Sequence, residues 1–271
     1  MKIDVVICSK DRPELLKKCS KQIFHLVPYS NFFVYEGSTK KDEAILEAIA
    51  QEYKAKIVDV KGLPFGLVRH MAILNSDADY VAMIDDDVIL THDWFFKVMS
   101  MFKNKSVAAS QGRLIYGSNN IITKISENAL RDDGGSGGAS IYDRKKILEI
   151  GNFNKKIHRG EDMELKLRMN KQGYQWAKNV DALSFHPVDS VKSFINRPKG
   201  DVIGWSFIMK NSNNRTRFMI ERFASCLIMP IYYMWKTLDP RCGAIWAIFR
   251  WKGLILFLAN KGELLDCWRQ L

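Results

Sequence analysis

Short apolar runs, each stopped by a polar cluster, alternate with stretches of helical spacing over the first ninety residues. Ile3 to Ser9 is rich in β-branched residues and ends in Ser9-Lys10-Asp11, which predicts a strand and a turn. Pro13 then stands where the first turn of a helix tolerates it, and Leu15, Leu16, Cys19 and Ile23 form a helical stripe. Phe32-Phe33-Val34-Tyr35 predicts a second strand, stopped by Glu36-Gly37-Ser38-Thr39. Residues 44–50 are expected to be helical, residues 56–60 a third strand, residues 65–74 helical, and residues 80–84 a fourth, wholly apolar strand. Strands that alternate with helices at these spacings call for a parallel sheet covered on both faces. Ligands of such sheets bind beyond the carboxyl ends of the strands, and here those ends carry Ser9-Lys10-Asp11, Glu36-Gly37-Ser38 and Asp85-Asp86-Asp87.

The middle of the chain is less regular. Residues 107–116 read as a strand, residues 132–138 as a glycine-rich loop and residues 144–150 as a short helix before Gly151. A stronger helix is predicted over 161–171, where Met163 and Leu167, and Leu165 and Met169, are spaced by four, with Gly173 as its stop.

Four groups of residues carry candidate chemistry. Three adjacent carboxylates, Asp85, Asp86 and Asp87, repel one another at a strand end unless a cation neutralises them, and oxygen ligands select Mg²⁺ or Mn²⁺. A solvated acidic turn, or a cap on a helix beginning near Trp94, fits the same triplet. Glu161 and Asp162 open the strong helix, where acids are favoured by the helix dipole; a carboxylate on a rigid helix end also suits a general base. The loop Asp133-Gly134-Gly135-Ser136-Gly137-Gly138-Ala139 is neither a dinucleotide fingerprint nor a Walker loop, which leaves a close approach of backbone to a sugar, or a bare surface loop. His186 ends a strand-like Ala182-Leu183-Ser184-Phe185; it is either structural or the imidazole that completes a metal site with carboxylates.

The order of these elements resembles the family 2 glycosyltransferases. Cys8-Ser9-Lys10-Asp11-Arg12 matches the turn after the family's first strand loosely. Tyr35-Glu36-Gly37-Ser38 looks like its acidic turn after the second strand with the first acid lost, and Val68-Arg69-His70 is similar to the segment ahead of its metal motif. Residues 78–87 look very like the approach to the family's Asp-x-Asp motif. Residues 137–141 and Gly151-Asn152-Phe153 resemble its acceptor-side segment, and Gly160-Glu161-Asp162-Met163-Glu164-Leu165 matches its catalytic Glu-Asp motif. The resemblance covers roughly residues 3–187.

It implies a GT-A fold, a Rossmann-like, mostly parallel sheet with helices on both faces, over residues 1–190. Residues 1–115 would be the nucleotide-sugar half and residues 116–190 the acceptor-side half. It implies an inverting enzyme that transfers a sugar from a UDP- or GDP-sugar to a glycan or lipid-linked acceptor. Asp162 would be the general base, with Glu161 supporting it or contacting the sugar, and Mn²⁺ or Mg²⁺ would be held by Asp85, Asp87 and His186. Nucleotide-sugar contacts would fall on Ser9, Asp11, Glu36, Arg69, Asp85 and Asp86, with Asp11 and Glu36 lining the nucleobase pocket and Arg69 approaching the diphosphate or the base.

Composition changes this picture mainly at the C-terminus. The chain has 271 residues, 47% of them hydrophobic, enough for one large domain or a domain plus an appendage and wrong for a disordered chain. The formal net charge is +11, and residues 191–271 supply most of the surplus, with 13 Lys/Arg against 5 Asp/Glu. Five of the seven tryptophans (Trp205, Trp235, Trp246, Trp251 and Trp268) lie there as well. The apolar run of residues 223–235 is interrupted by Pro230, and that of residues 243–259 contains Arg250 and Lys252, so neither is a clean membrane span. Aromatic and basic residues on amphipathic helices favour an anionic membrane face, against packing on the catalytic domain or a second subunit. The five cysteines show no CxxC pair, which argues for a reducing compartment, and the short N-terminal apolar run does not read as a signal peptide. The expected place is therefore the cytoplasm, peripheral on the inner face of the membrane. A sugar nucleotidylyltransferase would need a Gly-rich loop after the first strand, and none is present. A non-catalytic nucleic-acid or membrane binder would explain the charge but not acids at three strand ends, so no nucleic acid is expected as a partner.

Overall fold

Alternation along the central strands decides the architecture, because successive side chains leave a strand on opposite faces. The structure, a computed structural model, describes residues 1–116, 138–186 and 215–259. Strand β1 (Ile3–Ser9) sends Ile3, Val5 and Ile7 to one face and Val6 to the other. Strands β2 (Asn31–Glu36) and β4 (Tyr80–Asp85) do the same, with Phe32, Val34, Ala82 and Ile84 on the first face and Phe33, Tyr35, Val81 and Met83 on the second. Both faces are apolar, so both must be covered. Helices α1 (Pro13–Leu26), α2 (Glu43–Tyr53) and α4 (Trp94–Ser100) cover the first with Leu16, Ile23, Ile49 and Trp94. Helices α3 (Phe65–Asn75), α5 (Arg144–Glu149) and α6 (Glu161–Lys171) cover the second with Val68, Ile73, Ile147, Leu165 and Met169.

The described strands form one eight-stranded sheet in the order β3-β2-β1-β4-β7-β6-β8-β5. Its first half is parallel: β1 pairs with β2 and β4, and β2 with β3 (Ala55–Asp59). Beyond β4 the direction changes, since β7 (Ala139–Asp143) runs antiparallel to both β4 and β6 (Val107–Tyr116). The two-residue β5 (Ile89–Leu90) pairs antiparallel with the end of β8 (Gln175–His186). Residues 182–185 are thus the tail of a strand twelve residues long. Of the glycine-rich segment, residues 133–137 lie outside the described residues, while Gly138 and Ala139 lead into β7.

Local chemistry sets the element ends. Asp42 caps α2 by accepting from the Ile45 amide at 3.1 Å, and Gly173 at φ +80° turns the chain out of α6. At the edge far from the strand carboxyl ends, the buried Asp4 accepts from the Asn31 side chain at 2.9 Å and from Ser76 Oγ at 2.7 Å, joining β1, β2 and the end of α3.

The chain divides into two compact units. One comprises residues 1–115, 133–156 and 161–186; the other comprises residues 116–132, 157–160 and 187–271. Within the second, α7 (Arg215–Thr237) and α8 (Pro240–Ala259) pack together through Tyr233, Cys242 and Phe249. A Cβ on Gly243 would come within 2.5 Å of the Pro230 carbonyl oxygen, so the two backbones meet where only glycine fits. The outward side of α7 carries Leu227, Ile228, Ile231, Met234 and Trp235, the last 72% exposed; α8 exposes Ile248, Trp251 and Ile255 while burying Phe249 and Leu254. Among the described residues no helix is long and apolar enough to cross a membrane.

Gly112 on β6 faces the Ala182 carbonyl of β8, and a Cβ there would lie inside contact with that oxygen and 2.6 Å from Nε1 of the buried Trp94. Backbone cannot yield as a side-chain tip can. Gly112→Ala is expected to destabilise the protein by about 2–3 kcal/mol, read as a lower midpoint in urea at unchanged slope; an unchanged midpoint would show that β6 and β8 separate at no cost.

Candidate active site

The last residue of β4 is Asp85, and the chain turns at once through Asp86 and Asp87, with the Val88 amide closing on the Asp85 carbonyl at 3.2 Å. β4 is flanked by β1 on one side and β7 on the other, so the acids emerge at the middle of the sheet rather than at its edge. The backbone is anchored there: the Asp85 amide donates to the Gly138 carbonyl at 2.8 Å. A Cβ on Gly138 would stand 3.4 Å from Asp85 Oδ2 and 4.0 Å from the His186 ring, so this glycine lies against the cluster.

Each acid has a different partner. Asp86 has a fully buried side chain; Ser9 Oγ donates to its Oδ2 at 2.8 Å, and Arg12 Nη2 lies 2.7 Å from its Oδ1. Burial pushes the Asp86 carboxyl up to about 6, against the pull of Arg12. Asp87 pairs through Oδ2 with Arg12 Nη1, while its Oδ1 is 3.3 Å from His186 Nε2. Asp85 Oδ1 is 3.5 Å from Nη2 of Arg69. Burial raises the Asp85 carboxyl too, with Arg69 opposing.

Arg69 extends the network to the start of α6. Its side chain is 3% exposed, with Nη1 3.2 Å from Glu161 Oε1 and its guanidinium over the Phe65 ring at 4.6 Å. Burial raises the Glu161 carboxyl and Arg69 opposes it. Asp162, half-buried beside it, accepts from the Met163 amide at 2.7 Å. The Glu161-Asp162 pair is thus tied through one arginine to the acid at the end of β4. The neighbouring His70 is held apart from this, with Nδ1 3.0 Å from the Phe153 carbonyl.

A second knot ties the first two strand ends. Asp11 adopts φ +56°; its amide donates to Ser38 Oγ at 2.6 Å, and its Oδ1 accepts from the Thr39 amide at 3.1 Å. Ser38 in turn donates to Glu36 Oε1 through its amide at 2.7 Å and through its hydroxyl. Ser9, Asp85, Asp86, Asp87, Arg69, Glu161 and His186 therefore form one connected group, and Asp11 with Glu36 a neighbouring one. The residue the sequence reading left without a role is Arg12, which joins the two. Its only signal was a cation directly after a polar strand end.

Asp85, Asp87 and His186 each offer a ligand atom, all within 4.8 Å of one another. Asp87 Oδ1 is buried and takes no hydrogen bond, as an atom kept for a cation would be. Two carboxylates and an imidazole suit Mn²⁺ or Mg²⁺. His186 arrives by register: Ile89 lies opposite Phe185 in the β5–β8 pair, which sets the next residue of β8 beside the turn that holds Asp87.

Comparison with known proteins bears on the fold and the family. No curated protein matches the chain. Among solved structures, the mannosyltransferase PcManGT of Pyrobaculum calidifontis, in complex with GDP-Man and Mn²⁺, superposes with a TM-score of 0.68 at 12% identity, over 96% of this chain and 86% of that one. Glucosyl-3-phosphoglycerate synthase of Mycobacterium tuberculosis, in complex with Mn²⁺, UDP and phosphoglyceric acid, gives 0.57 at 14% identity, over 78% of each chain. TarS of S. aureus gives 0.55 at 11% identity, over 95% of this chain and 54% of that one. At these identities the likeness is one of fold, the GT-A fold of glycosyltransferases. The sequence profile of glycosyl transferase family 2 matches residues 4–162, more than half of the chain, and includes all three polar strand ends and the Glu161-Asp162 pair: the protein belongs to glycosyl transferase family 2 and is an enzyme of the glycosyltransferase type.

Proposed function

We propose that this enzyme transfers a sugar from a UDP- or GDP-sugar to an acceptor hydroxyl or lipid phosphate in one inverting displacement. The observation that carries the reading is the connected group running from Asp85, Asp87 and His186 through Arg69 to Glu161 and Asp162. Asp85, Asp87 and His186 hold Mn²⁺ or Mg²⁺, which when bound stabilises the charge that develops on the departing nucleoside diphosphate. Ser9 and Asp86 fix the turn against the nucleotide, and Asp11 and Glu36 line the base pocket. Arg69 is too deeply buried to reach far; it serves the diphosphate from beneath, by orienting Asp85. Asp162 takes the proton of the attacking hydroxyl as the new bond forms, and Glu161 holds it in place. Residues 1–115 form the nucleotide half of this site and residues 116–190 the acceptor half.

The second unit supports a place for the reaction. Leu227, Ile228, Ile231, Met234 and Trp235 recur at helical spacing on the exposed side of α7, in a region that carries most of the positive surplus. Such a face suits reversible attachment to an anionic membrane, each Lys or Arg contributing roughly 1 kcal/mol near the surface. The acceptor is then lipid-linked or a glycan presented at that surface, on the inner face of the cell membrane, and no nucleic acid takes part.

Three outcomes are expected. Excess EDTA abolishes transfer and Mn²⁺ restores it, and Asp87→Ala lowers kcat/KM by ~10²–10³-fold with the melting temperature nearly kept; full turnover after verified metal removal would sink the metal role. Asp162→Asn lowers kcat by about 10²–10⁴-fold with nucleotide binding retained. A wild-type rate, or a product that keeps the donor's anomeric configuration, refutes the base assignment. The protein sediments with vesicles containing acidic lipid at low salt and is released at high salt, and Ile231→Glu with Trp235→Glu prevents sedimentation. If wild type stays in the supernatant at low salt, the exposed face of α7 has another occupant.

A further inference from the structure

One carboxylate in this site serves two masters. Asp87 gives Oδ2 to Arg12 and turns Oδ1 toward His186. Arg12 reaches it because Asp11, in the left-handed region, is pinned to the second strand end by Ser38 and Thr39, so the guanidinium that follows is directed over the end of β4. The two arginines of the site differ in access: Arg69 is 3% exposed at its side chain, and Arg12 is 43% exposed. Arg12 can therefore face an incoming anion while it still holds Asp86 and Asp87. A fixed positive charge on a metal ligand weakens that ligand's attraction for a divalent ion, because like charges across one carboxylate repel. An anion that meets both cations turns the repulsion into a shared attraction.

Taking Asp85, Asp87 and His186 as the metal ligands proposed above, we propose that Arg12 is an internal counter-cation that makes metal binding depend on the nucleoside diphosphate. Before the donor arrives, Arg12 offsets the charge of Asp86 and Asp87, keeping the turn ordered and its affinity for a divalent ion low. When the donor is bound, its diphosphate pairs with Arg12, and metal and nucleotide each strengthen the other's binding to the same degree, as linkage requires. Arg12 is thus a donor-binding residue whose charge also sets the order of loading. An enzyme built this way discriminates against free divalent ions without losing them from the loaded site.

The test is Mn²⁺ titration followed by electron paramagnetic resonance of the free ion, on wild type, Arg12→Lys, Arg12→Gln and Arg12→Met. Each is measured alone, with UDP and with GDP. Loss of the charge is expected to tighten Mn²⁺ binding without nucleotide about tenfold, or about 1.4 kcal/mol, and to shrink the enhancement by the nucleotide that binds by a similar factor. Arg12→Lys, which keeps the charge, should track wild type. Circular dichroism and melting identify any variant that does not fold, and the two neutral replacements cover for one another. If the folded neutral variants bind Mn²⁺ alone no more tightly than wild type, Arg12 only orients Asp87 and the proposal fails. If wild type binds no Mn²⁺ with either nucleotide, the metal reading itself falls, and this role of Arg12 with it.

Discussion

Mutual repulsion of three consecutive carboxylates is the constraint around which this site is built. Two unit charges 4 Å apart cost about 4 kcal/mol at the effective dielectric near a protein surface, so a turn with three of them is unfavourable until cations are placed beside it. Among the described residues the fold supplies two arginines. Arg69 rises from α3 beneath the sheet end, and Arg12 is delivered from the turn after β1. Each is held by more than its acids: Arg69 by two aromatic rings, Phe65 and Phe153, and Arg12 through the hydrogen bonds of Asp11 to the second turn. The electrostatics of one turn thereby dictate the positions of two others.

The same constraint explains the polarity along the sheet. At the amino ends of the strands one buried carboxylate among the described residues, Asp4, is satisfied by neighbours within the core and needs no cation. At the carboxyl ends the acids exceed what hydrogen bonds can satisfy. Stability and chemistry are thus assigned to opposite edges of one sheet, a division that open α/β sheets permit because only one edge gathers the loops that follow the strands.

Much of this was legible from the residues. The first four strands and three helices follow from runs and stripes whose period is unambiguous, and the helix over 161–171 coincides with its expected bounds. In the antiparallel half only β6 was, with its bounds at 107 and 116; β5 is two residues long, and β7 begins in a glycine-rich stretch with no alternation to mark it. β8 was seen only at its tail, since residues 175–181 mix polar and apolar side chains on a strand half open to solvent. In the site, the acid triplet, Glu161, Asp162 and His186 stand out by type and position. Arg12 does not, because a basic residue after a polar turn is ordinary, and only the left-handed backbone at Asp11 sends it back over β4.

The pairing of β5 with β8 has a consequence for how the protein is made. His186 reaches Asp87 only after the strand that carries it has docked, and four of the eight described strands are synthesised between the two residues. Contacts that distant in sequence form late, because the intervening chain must be ordered first. An emerging polypeptide therefore carries its acids balanced by its own arginines long before the imidazole arrives. On the metal site proposed above, ion capture would be a property of the finished domain, and a chain cut short of β8 would have the acids without the imidazole.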